Sequence, residues 1–247
     1  MTALLELVHI SKRFGGVVVA DDVSLSVEPG AAIGVVGPNG AGKTTLFGVI
    51  SGDVRPDAGQ IVFEGSVVNR LDPAARCRLG IGRTYQIPKP FERMSVFENV
   101  LVAAQQGARA RGAESHGRAI SALERSGLLD KANRSAGSLG LLDRKRLELA
   151  RAIATGPSLL LLDEVAGGLT EPEMRALVDV IVAIRKDGTA VVWIEHVVRA
   201  LVGTVDRLLC LSAGVFIADG EPRAVLDSPA VREVYLGTEE LAIEGSV

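Results

Sequence analysis

The stretch most able to do chemistry is "GPNGAGKTT": Gly37, Pro38, Asn39, Gly40, Ala41, Gly42, Lys43, Thr44 and Thr45. It fits G-x-x-x-x-G-K-S/T, and each residue type has a physical task in that pattern. Glycines let successive backbone N–H groups curl around phosphate oxygens, and the lysine ammonium reaches the outer phosphates. The Thr44 hydroxyl offers a ligand to Mg²⁺, and the N-terminus of the following helix faces the anion. A second constellation is "LLLLDE". Asp163 suits the carboxylate that holds Mg²⁺ through water, and Glu164 could orient or deprotonate an attacking water. An acidic residue often ends an apolar strand for no chemical reason, so this pair gains its meaning from the phosphate loop upstream.

Elements must hold these residues in place. "AAIGVVG" (Ala31 to Gly37), "SLLLLD" (Ser158 to Asp163) and "TAVVWIEH" (Thr189 to His196) read as buried strands. "TEPEMRALVDVIVAIRKDG" reads as a helix. Thr170 and Glu173 form its capping box, Leu177, Val180, Ile181 and Ile184 its buried stripe, and Gly188 its stop. Strand, helix, strand gives a βαβ unit and a parallel sheet, an α/β fold whose ligands lie at the carboxyl ends of the strands. Asp163, Glu164, Glu195 and His196 fall there. Leu4 to Val27 alternates like antiparallel strands. From Pro88 to Thr155 helical pattern dominates, with Ser95 and Glu98 as a second capping box and "GARARGAESHG" as a loop or helix join. The chain therefore reads as one domain over 1–247: a sheet core from 1–87 and 156–247, and an inserted helical subdomain over 88–155.

Composition narrows the function classes. Of 247 residues, 47% are hydrophobic and 23% charged, which suits a globular protein. A net charge of -3 without a long basic run disfavours nucleic acid as main partner. The tightest basic cluster, Arg76, Arg78 and Arg83, reads as a solvated face or a protein contact. Cys77 and Cys210 read as reduced thiols with no metal-like spacing. His9, His116 and Trp193 read as packing or surface residues without a partner at functional spacing. No apolar run reaches the ~20 residues that span a bilayer, and Glu6 interrupts the N-terminal apolar stretch. The expected location is cytoplasmic, with any membrane work done by docking on a spanning partner. A small GTPase is disfavoured because "NRLD" is a poor base-reading motif.

The order phosphate loop, Gln86, helical insert, "RLELARA", "LLLLDE" and His196 resembles ATP-binding cassette (ABC) subunits, over nearly the whole chain. "RFGG", "GIGRTYQ", "MSVFENVLVA", "IEH" and the terminal "SPAVREVYLG" resemble the ATP-binding subunit of the branched-chain amino acid uptake family. The resemblance implies a P-loop ATPase of RecA-like, mostly parallel core with an N-terminal antiparallel region, using ATP and Mg²⁺. It implies that Phe14 stacks on adenine, that Gln86 contacts Mg²⁺ and the attacking water, and that His196 contacts the γ-phosphate. It also implies transmembrane permeases, a periplasmic binding protein and head-to-tail dimerisation, in which each ATP lies between one phosphate loop and the other subunit's Leu-Ser-Gly-Gly-Gln signature.

That signature is altered here. Anchored on "RLELAR", its positions are Leu139, Gly140, Leu141, Leu142 and Asp143. The expectation is that Leu142, in place of glycine, obstructs close backbone approach, and that Asp143, in place of glutamine, repels the triphosphate. Val165, Thr170 and Val197 also depart from the family pattern. The implied assembly is a dimer with a companion ATPase, a heterodimer favoured over a homodimer. This chain's own site would hydrolyse ATP, and the site completed by its signature would be weak. A regulatory subunit with slow hydrolysis is the alternative.

Overall fold

The structure, a computed structural model, describes residues 3–236. Two sheets and a helical layer make up the molecule. β1 (Leu5–Phe14) and β2 (Val17–Val27) form a hairpin, and β3 (Ala32–Val36) leads through the phosphate loop into α1 (Lys43–Ser51). β4 (Ala58–Phe63), β5 (Ser66–Val67), α2 (Pro73–Leu79) and β6 (Ile81–Arg83) follow. Three helices come next, α3 (Val96–Gln106), α4 (Gly112–Arg125) and α5 (Leu141–Ala154). The chain returns through β7 (Leu159–Asp163), α6 (Glu171–Lys186), β8 (Ala190–Ile194) and α7 (Val198–Leu201). β9 (Arg207–Ser212), β10 (Val215–Gly220), α8 (Pro222–Asp227) and α9 (Pro229–Leu236) complete it. Gly237, the last residue of "SPAVREVYLG", lies outside the described residues, as do the outermost residues of the expected domain.

The strands order as β2-β1-β4-β5 in an antiparallel sheet and β10-β9-β3-β8-β7-β6 in a sheet that is parallel but for β10. β7 shows why its leucine run forms a central strand. Leu159 and Leu161 face the core shared with β1, β2 and α1, while Leu160 and Leu162 face the core under the helices. A period of two with both faces buried demands apolar residues at every position. The expected hairpin, βαβ unit and both capping boxes are present. Helix α6 ends at Lys186 with Gly188 at φ +93°, the left-handed conformation that suits glycine at a helix stop. "GARARGAESHG" divides: its first part is a loop, and its second part begins α4.

One expectation is corrected. Arg76 is not on a solvated face; it is 1% exposed. Its Nη1 donates to the carbonyls of Val49 and Ile50 at 2.6 and 2.8 Å. These belong to the last turn of α1, where carbonyls have no partner within the helix.

Candidate active site

Adjacent parallel strands deliver the site to one edge of the larger sheet. β3, β8, β7 and β6 lie side by side, and beyond their carboxyl ends come the phosphate loop, His196, Glu164 and Gln86. The loop is built around glycine. A Cβ on Gly37 would stand 2.0 Å from the Leu211 carbonyl oxygen, and one on Gly42 2.2 Å from that of Val19. Both have φ values that side-chain-bearing residues avoid, +153° and +103°. No side chain caps α1, so its first turn presents its N–H groups toward the loop. Lys43 folds back across that loop, its Nζ donating to the carbonyls of Gly37 and Pro38 at 2.6 and 3.0 Å.

Two cavities adjoin at Thr44. One, of about 260 Å³, is walled by Asn39, Gly40, Ala41, Gly42, Lys43, Thr44, Thr45, Val19, Glu164 and His196. The other, of about 480 Å³, includes Thr44, Gln86, Asp163 and Arg83 in its wall. Glu164 stands between them. Its Oε1 lies 2.7 Å from His196 Nε2, and its Oε2 accepts from the Gln86 side-chain amide. The Glu164 backbone is at φ +49°, a conformation that costs about 1–3 kcal/mol and persists where the surroundings impose it.

Asp163 is 2% exposed. Burial pushes its pKa up, and the Arg83 guanidinium opposes that shift. Arg83 Nη2 donates to Asp163 Oδ2 at 3.2 Å, while Nη1 donates to Ser51 Oγ and Asp53 Oδ2 at 2.9 and 2.8 Å. Asp163 Oδ1 is buried without a hydrogen-bond partner. A buried, uncommitted carboxylate oxygen on a cavity wall shared with Thr44 fits a hard cation with oxygen ligands such as Mg²⁺.

Phe14 closes β1 outside the walls of these two cavities. It is half-exposed, with Lys12 Nζ 5.2 Å from its ring centroid. The segment Leu139–Asp143 carries a second correction. Leu139 is buried, and Leu142 packs against the core beneath the helices. The exposed side chain is Leu141, the first residue of α5, whose Cδ2 approaches Gly168. Gly140 precedes it as a cap without a side-chain oxygen. Asp143 does not present a bare charge: Lys131 Nζ binds its Oδ2 at 2.6 Å, and Arg146 Nη1 lies 3.7 Å from Oδ1. Among these side chains, Leu141 is the one exposed at the start of α5.

Other residues near the site escaped the sequence reading. Arg83 was grouped with surface arginines, and Trp193 does have a partner, donating from Nε1 to buried Glu195 at 3.1 Å. Lys145 is 5% exposed and donates to the Glu164 carbonyl. Its helical stripe with Leu149 and Ala152 was the available signal.

Known proteins share this architecture. The profile of the ABC transporter family matches residues 20–167. The chain belongs to that family. Within the ABC family it is an ATP-binding subunit with ATPase activity. A profile described as "Branched-chain amino acid ATP-binding cassette transporter" matches residues 217–240. The chain is 35% identical over 249 residues to the high-affinity branched-chain amino acid transport ATP-binding protein LivG of Escherichia coli, covering 95% of this chain and 98% of that one. It is 34% identical over 249 residues to BraF of Pseudomonas aeruginosa, with the same coverage. Its structure is similar to the ADP conformation of an ATP-binding cassette of an ABC transporter. That match has a TM-score of 0.89 and 30% identity, covering 96% of this chain and 100% of the other.

Proposed function

We propose that the chain powers a membrane importer for branched-chain amino acids or similar small polar solutes, hydrolysing ATP with Mg²⁺ at its own phosphate loop. The observation that carries this reading is Glu164, held between Gln86 and His196 at the wall of the phosphate-loop cavity. The relatives' names and the match over 217–240 support the substrate class.

The loop's N–H groups and Lys43 hold the β- and γ-phosphates, and Phe14 stacks on the adenine. Thr44, Gln86 and, through water, Asp163 would hold Mg²⁺, which when bound would neutralise charge on the phosphate oxygens. Water attacks the γ-phosphorus in line with the departing β–γ bridging oxygen, and ADP and phosphate are released. Glu164 orients that water and accepts its proton, a task for which His196 and Gln86 fix both carboxylate oxygens. Before the attack, His196 is also placed to contact the γ-phosphate beside Glu164.

The second half of the assembly is a companion ATPase with an intact signature, in a heterodimer. This chain's Leu141 stands at the helix start that faces the companion's nucleotide, which supports one strong site and one weak one. A regulatory subunit with slow hydrolysis remains the second reading, favoured by that same leucine. Around Gln86, the exposed Tyr85, Ile87 and Phe91 beside Lys89 and Arg151 form a face for a permease segment. The subunit thus works peripherally on the cytoplasmic face of the membrane, downstream of a periplasmic binding protein.

Mixing the chain with its companion tests the reading. Glu164→Gln should lower ATP turnover by about 10²–10⁴-fold, the usual worth of a general base, while ATP still binds. Near-wild-type turnover would move the active site elsewhere.

A further inference from the structure

Two buried opposite charges lie behind the catalytic turn, and the hydrolytic reading gives neither a task. Lys145, on α5, reaches the backbone carbonyl of Glu164 with its Nζ at 3.2 Å. Glu195, 1% exposed, follows β8 directly before His196. Its Oε1 accepts from the backbone N–H of Ala166 at 2.6 Å and from Trp193 Nε1 at 3.1 Å. The Glu195 carboxylate is the main charge opposing the burial of the Lys145 ammonium.

Buried charges lose hydration and are retained at a cost, so each needs specific contacts to hold it. The turn 164–166 is gripped at its first residue by a lysine from α5 and at its third by a glutamate from the end of β8. Glu164 sits in that turn at positive φ, a conformation its neighbours must impose. α5 begins at Leu141, the end that faces the companion subunit in the proposed dimer.

We propose that Lys145 and Glu195 are positioning residues of the ATPase, two buried ionisable groups that hold the Glu164–Ala166 turn at its two ends and tie its geometry to the placement of α5. A displacement of α5 by nucleotide at the neighbouring site is passed through Lys145 to the Glu164 backbone, and from that turn through Ala166 and Glu195 to the adjoining His196. The proposal rests on the reading of Glu164 as the catalytic carboxylate.

The test uses the full chain assembled with its companion, with Lys145→Met, Lys145→Arg, Glu195→Gln and the double Lys145→Met/Glu195→Gln. Measured are kcat, KM, binding of a fluorescent ATP analogue, and the emission of Trp193, the chain's single tryptophan. Lys145→Met and Glu195→Gln should each lower kcat by about tenfold or more, since small misplacements of reacting groups carry such penalties. Analogue affinity should hold within about threefold, and Trp193 emission should shift in Lys145→Met although Lys145 does not touch the indole. Lys145→Arg should recover part of kcat, and the double variant should be no slower than the slower single. Wild-type kcat in Lys145→Met, or losses that multiply in the double, would overturn the proposal. If a single variant does not fold because one buried charge is left alone, the double decides: a folded double with wild-type kcat overturns it. Glu164→Gln is assayed in parallel. Should that variant keep its turnover, the catalytic reading fails, and unchanged Trp193 emission in Lys145→Met still sinks the tie by itself.

Discussion

Asp163 and Glu195 are both buried carboxylates near the nucleotide site, and their surroundings treat them differently. Asp163 shares Arg83 with Ser51 and Asp53, a buried contact between β6 and β7. Arg83→Gln would leave Asp163 without its cation. Breaking a buried pair costs about 3–5 kcal/mol, which urea titration of the purified chain should reveal. Glu195 has its pKa pushed up to about 7, by burial first, against the hydrogen bonds from Ala166 and Trp193 and the field of Lys145. A raised folded-state pKa means that the native protein holds this proton more tightly than the unfolded chain. Stability from that proton is complete below about pH 4.5, the ordinary glutamate value, and is lost as pH rises through about 7. The wild type should therefore lose more stability than Glu195→Gln between pH 5 and pH 8, and parallel thermal melts would contradict the assignment. The phosphate loop was legible in sequence because its nine residues act together. Arg83 and Lys145 were not, and Glu195 was legible only as a strand-end residue, because their partners lie 80, 19 and 29 positions away, and only the sheet and α5 bring them together.

At the scale of the element, α5 was half legible. Leu147, Ala150 and Ala154 recur at helical spacing and mark its later turns, but its start at Leu141 is hidden, since neither Gly140 nor Leu139 has a capping side chain. Its leucines divide by burial. Leu142 fills core space, so Leu142→Gly should cost about 2–4 kcal/mol in cavity and helix propensity together. Leu141→Gly lies on the exposed side and should cost about 1 kcal/mol, chiefly propensity; thermal melts separate the two. If Leu141 is what weakens the reciprocal site, Leu141→Gly should raise turnover of the mixed dimer, while Asp143→Gln alone, which frees Lys131 and Arg146, should not. An increase from Asp143→Gln and none from Leu141→Gly would restore the charge-repulsion account.

For the whole molecule, the parallel sheet was legible where its strands are long and apolar: β3, β7 and β8 all fall where the sequence puts them. β6 was not, because three residues carry no period, yet it is β6 that leads to Gln86. β9 and β10 escaped as well, although Leu211, in β9, supplies the carbonyl that forces glycine at position 37.

Arg76 offers a consequence of its own. Helix α1 has a positive guanidinium at the carbonyl end of its dipole, and its amide end faces the place where a triphosphate belongs. The short helix is thus a polar rod with a permanent counter-charge at one pole and an exchangeable one at the other. If the two poles are coupled through the helix, thermodynamic linkage makes that coupling reciprocal. Arg76→Met should weaken binding of a nucleotide it never touches, and saturating nucleotide should slow hydrogen exchange at the distal end of α1 in the wild type more than in the variant.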